Sequence, residues 1–212
     1  MTAAKFRSGE VLILAKAAHD RASIHPAEAE VCIVLCAATL EGFLNELAFA
    51  FQTFKGPPAA VALAGLLEEA EEVRASPTAK LRFAAYALSG IFPSKGDRPI
   101  QRVKALFQLR NSLMHLRPEQ MFTLIDEHPY LEKKPKTPSE VELLIGEGLV
   151  ALPADYTGTW RDLVVTQSIA RWAYNTTVQT MLWLGSLTQD PSVLAVLKTL
   201  TVELTELDTK IA

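Results

Sequence analysis

Apolar residues in this chain recur at helical rather than strand spacing. Leu40, Phe43, Leu44, Leu47, Phe51 and Phe54 follow an i, i+3, i+4 rhythm, which aligns them in one stripe along a helix that needs a buried face. With Pro and Gly as punctuation, the pattern predicts six or seven helical segments. The first runs from Ser8 to Arg21, with Ser8 as its N-cap. His25-Pro26 ends it, and Pro26 suits the first turn of a long second helix that reaches Phe54. A third covers Ala59 to Arg74, a fourth Thr78 to Ile91 after Ser76-Pro77, and a fifth Ile100 to Leu116 before Pro118.

Beyond the fifth helix the pattern weakens. Glu119 to Pro138 carries Pro129, Pro135 and Pro138 together with Lys133, Lys134 and Lys136. It reads as a long crossing loop with a short helix at Met121 to Glu127. Glu140 to Ile145 is a further short helix, and Leu149 to Pro153 is the one candidate strand. A C-terminal helical pair follows, Thr159 to Leu187 and Pro191 to Leu207. The expected fold is an all-α helical bundle in three parts. A core spans residues 8–120, a loop region 121–158, and a helical pair over 159–207 packs on the core as a C-terminal extension.

Composition narrows the class. The chain has 212 residues, 49% of them hydrophobic and 21% charged, with a formal net charge of −3. These are globular values and exclude a largely disordered chain. Two cysteines, Cys32 and Cys36, exclude a disulfide framework and a Cys-rich zinc module. A pI near 5.8 argues against a protein basic all over. The N-terminal residues lack the apolar core of a signal peptide. The longest apolar run, Val31 to Leu40, is about half of the ~20 residues a membrane span needs. A cytoplasmic protein without membrane contact is expected. The mean hydropathy of +0.15 suggests apolar surface beyond the core, such as an oligomer interface.

One segment carries candidate chemistry: Leu109-Arg110-Asn111-Ser112-Leu113-Met114-His115-Leu116. On a helical wheel at about 100° per residue, Val103, Leu106, Phe107, Leu113 and Met114 share an apolar face. Lys104, Gln108, Asn111 and His115 share a polar one. Arg110 falls inside the apolar stripe. It stays ionised at any pH of interest, and burying it unpaired costs several kcal/mol. It therefore needs a carboxylate or a wet cleft. Glu41, with Asn45 one turn on, flanks the stripe of the second helix, so the expected partner of Arg110 is Glu41. Lys95 to Arg117 holds six basic residues and one acid, a local net of +5 that includes Arg102, Lys104 and Arg117. Such a patch gives sequence-independent phosphate affinity.

Arg110-Asn111-x-x-x-His115 resembles the R-x(4–6)-H motif of HEPN domains. The preceding long helix with Leu40-Glu41-Gly42-Phe43-Leu44-Asn45-Glu46-Leu47 is also similar to members of that family. The resemblance covers roughly residues 8–120 and implies a four-helix up-and-down bundle that dimerises with the two motif helices across one composite cleft, and a metal-independent endoribonuclease without cofactor. Arg110 would bind phosphate, His115 would act as acid or base, Asn111 would orient His115 or the substrate, and Glu41 and Asn45 would support them. Arg102, Lys104 and Arg117 would hold the RNA. The implied setting is stress, defence or toxin action, with an antitoxin or defence-system protein as partner class. Members paired with a nucleotidyltransferase antitoxin often carry an AMP-accepting Tyr two residues after the His. Arg117 stands there, so adenylylation at that position is not expected. The alternative is a non-catalytic HEPN-like binding or scaffold module, in which the motif is structural or binds a nucleotide or anion.

The remaining candidates read as structure. Cys32 and Cys36 lie i, i+4 on an apolar helix and suit core packing. Trp160, Trp172 and Trp183 suit a core or interface. Glu68, Glu69, Glu71 and Glu72 form a solvated acidic face. His19 is expected on a helix surface, and His25 and His128 precede prolines. None of the histidines has metal-ligand spacing.

Overall fold

The computed structural model describes residues 7–53, 58–114, 138–152, 156 and 158–200. Among the described residues there are nine helices and no strand. They are α1 (Ser8–Arg21), α2 (Glu28–Thr53), α3 (Pro58–Glu72), α4 (Pro77–Ser89), α5 (Arg98–Met114), α6 (Ser139–Gly146), α7 (Trp160–Val164), α8 (Gln167–Ser186) and α9 (Pro191–Leu200). The fold is the all-α helical bundle that the periodicity predicts.

Helix α2 is its axis. At 26 residues it is about 39 Å long, and α1, α3, α4, α5, α8 and α9 all pack against it. Its mean hydropathy of 1.6 over 18 residues makes it long and apolar enough to cross a membrane by length and composition. In this fold half of that window is buried against other helices. Phe43, Leu47 and Phe51 are sealed in the centre, where truncating a Phe to Ala costs about 3–5 kcal/mol. One continuous cluster runs from Leu12 in α1 to Leu197 in α9, so α8 and α9 contribute to the same core as the first five helices. Cys32 and Cys36 face α8 there: the Cys32 thiol donates to the Ala170 carbonyl, and the Thr177 hydroxyl donates to the carbonyls of Cys36 and Ala173. Burial pushes the Cys36 thiol well above its ordinary pKa.

Several ends differ from the pattern for identifiable reasons. Ser8 is the first residue of α1, not its N-cap. Its hydroxyl and backbone N–H, with the N–H of Arg7, all donate to the Glu46 carboxylate of α2. The orphan donors of one helix start are thus capped by a charge from another helix. Leu149 opens no strand. Gly148 takes φ +73°, and the chain turns back so that the Leu149 N–H donates to the Leu144 carbonyl. That donor closes α6 as in a Schellman-type end. The helix expected over Thr159 to Leu187 is two helices. Thr159 and Asp162 form a capping box at the start of α7. Thr166 is then extended, and its hydroxyl accepts from the Ile169 N–H as N-cap of α8. A bidentate pair between Arg161 and Glu30, at 2.7 and 2.6 Å, fastens this elbow to α2. His19 is buried at 5% exposure and not on the surface. The short helix expected over 121–127 and residues 201–207 lie outside the described residues.

Candidate functional site

Helices α2, α4 and α5 enclose an open groove of about 660 Å³. Its α5 wall carries Lys104, Gln108, Arg110 and Asn111, and its α2 wall carries Glu41. Helix α4 and the α4–α5 connection add Arg82 and Lys95. Four cations thus face one carboxylate among the described lining residues. Ser76, Pro77, Thr78 and Ala79 also line the groove. They bring the positive end of the α4 dipole to the same place, and the Ser76 hydroxyl accepts from the Ala79 N–H as N-cap.

Arg110 is half-buried, and its Nη1 donates to Asn111 Oδ1 at 2.8 Å. The expected ion pair with Glu41 does not form, although both residues line the groove. The cause is the groove itself. Val103, Leu106 and Leu113 of the α5 stripe are buried, but the flank that carries Arg110 and Met114 borders the groove, so the guanidinium is only half-buried and needs no buried carboxylate. Met114, assigned to the same stripe by the wheel, is 59% exposed for the same reason.

Arg82 is the residue that sequence reasoning missed. Its guanidinium carbon lies 4.3 Å from the centre of the Phe92 ring, within cation–π range. Its Nε donates to the Pro93 carbonyl at 3.0 Å. Its terminal amino groups have no hydrogen-bond partner among the described residues. Position and orientation both come from the connection after α4. Gly90 in the left-handed region, at φ +72°, ends the helix, and Phe92-Pro93 then lies back over it. The Ser76-Pro77 start is legible in sequence, but its facing α5 across a groove is a product of packing.

Other predicted site residues are placed elsewhere. Arg102 does not reach the groove. It points about 200° around α5 from Lys104 and makes two 2.8 Å bonds to Glu147, the residue after α6, and one of 3.2 Å to Gln179. Glu147 also accepts from Trp172 Nε1. Asn45 is exposed and lies outside the groove lining. His115 and Arg117 lie outside the described residues. Helix α5 is anchored near its end by α6, where Ser112 donates to Glu140 and Gln108 to Ser139. Among the described residues no three His, Cys, Asp or Glu side chains assemble as a metal site. Chemically, the groove can hold a polyanion whose charges are spaced along it. The chain matches no family model, no curated protein and no solved structure.

Proposed function

We propose that the groove binds the phosphate backbone of RNA and that the chain is a HEPN-like, metal-independent endoribonuclease acting as a homodimer. The observation that supports this best is that Arg110 lines an open cationic groove rather than being locked to Glu41. A planar guanidinium in that setting suits a phosphate and its developing charge. In this reading the 2′-OH of the RNA attacks the adjacent phosphorus while His115 takes its proton. The P–O5′ bond breaks, and the leaving 5′ oxygen takes a proton from His115 of the partner subunit. Products are a 2′,3′-cyclic phosphate and a 5′-OH.

The test incubates purified protein with mixed RNA in EDTA. Wild type is expected to give fragments with those ends. His115→Ala and Arg110→Ala are each expected to lower the rate by about a hundredfold or more. Equal, negligible cleavage by wild type and His115→Ala would overturn the enzyme reading. A second reading is RNA or nucleotide binding without cleavage, in which the Arg110–Asn111 hydrogen bond fixes the guanidinium while its other N–H groups and the Asn111 amide remain for an anion. Its signature is groove-dependent binding with no cleavage.

A further inference from the structure

Phe92, Tyr86 and Phe83 form a cluster around Arg82, beside the groove that Arg82 lines. The Phe92 ring lies 5.7 Å from Tyr86, edge-on, and 6.1 Å from Phe83, tilted. Phe92 keeps 46% and Tyr86 44% of its surface in solvent. Arg82 joins this cluster to the cationic lining, since the guanidinium that packs on Phe92 also lines the groove. An exposed pair of aromatic rings is costly to leave in water. Here it adjoins the cationic groove through Arg82. Bases in a duplex are stacked on each other and cannot reach such rings, whereas unpaired bases can.

We infer that Phe92 and Tyr86 form a stacking platform for an unpaired nucleobase, so that the groove selects single-stranded over double-stranded RNA. The inference rests on the RNA-binding reading of the groove. The backbone lies along Lys104 and Arg110, and one base turns out of the strand onto the aromatic edge. Arg82 serves both parts, with its aliphatic and π surface on Phe92 and its free amino groups toward phosphate.

The experiment measures binding of the full chain to a 2′-O-methyl 12-mer, which lacks the nucleophilic hydroxyl, as a single strand and as a duplex of the same sequence. A 2-aminopurine in the strand reports stacking by fluorescence quenching. Wild type is expected to bind the single strand more tightly and to quench the probe. Phe92→Ala and Tyr86→Ala are each expected to weaken single-strand binding about tenfold while leaving duplex affinity within about twofold. Phe92→Trp is expected to restore both affinity and quenching. Duplex affinity also reports that each variant is folded. If both alanine variants bind the single strand like wild type while Lys104→Ala does not, the platform is overturned and the groove reading stands. If wild type binds neither form, the groove reading fails and the platform with it.

Discussion

Replacing Arg102 by Met separates the scaffold of α5 from its binding face. The methionine keeps most of the aliphatic stem and removes the charge. In the native protein Arg102 donates twice to Glu147 and once to Gln179. The two side chains of the pair are only 19% and 16% exposed. A fully exposed pair would be worth about 1 kcal/mol or less, and breaking a fully buried one costs about 3–5 kcal/mol. At this burial the expected loss is about 2–3 kcal/mol, tempered by Arg98, whose Nε stays 3.7 Å from Glu147. In a domain of this size each kcal/mol moves Tm by about 2–4 °C, so a drop of roughly 5–10 °C is expected. Urea denaturation of wild type, Arg102→Met, Glu147→Gln and the double variant gives the coupling, which is expected to exceed about 1 kcal/mol. RNA affinity should be unchanged in Arg102→Met and reduced in Lys104→Ala, with stability behaving the opposite way. A stability loss below about 0.5 kcal/mol, or an RNA defect in Arg102→Met as large as that in Lys104→Ala, would refute the reasoning.

Two further perturbations test the frame. Glu46→Ala removes the acceptor for three donors at the start of α1. It should cost about 1–2 kcal/mol, and hydrogen exchange should show faster opening of α1 than of α8; unchanged protection of α1 would count against the cap. Cys36 has its pKa raised chiefly by burial. Below pH 9.0 the thiol is protonated in both states, and above it the unfolded chain loses a proton that the native chain keeps. Stability should therefore fall as pH rises above 9, by up to about 1.4 kcal/mol per pH unit. Urea titrations at pH 8 and 10 should show a shallower fall for Cys36→Ala than for wild type, and equal slopes would exclude the mechanism.

Local signals in the chain were good guides where local chemistry decides the outcome. Ser76-Pro77 starts α4, and the rhythm from Leu40 to Phe51 marks the buried side of α2. Thr166 caps α8 only because its hydroxyl reaches the Ile169 N–H, a choice that competes with simply continuing the helix from α7. Nothing in sequence decides that competition. The wheel placed Arg110 and Met114 on an apolar stripe correctly as angles. It could not show that helices cover the Leu106–Leu113 side of the stripe and leave the Arg110–Met114 flank beside a groove. Glu41 and Glu46 are five residues apart and look alike in sequence. One lines a solvent-filled groove and the other caps α1, because only the approach of α1 to α2 distinguishes their surroundings. The same holds for Arg102 and Lys104, two basic residues on one helix with opposite surroundings. Phe92 falls between the expected fourth and fifth helices, where no helical pattern marks it. Its contact with Arg82 depends on the left-handed turn at Gly90.

The capping of α1 by Glu46 also bears on the order in which the chain takes shape. The donors at Arg7 and Ser8 find their acceptor 39 and 38 residues later. Helix α1 is 14 residues long, a length at which isolated helices are marginal in water. Its first-turn donors lack this acceptor until α2 has folded beside it. The two helices therefore consolidate as one hairpin, since the first-turn donors of α1 and their acceptor on α2 come together only when both helices are in place.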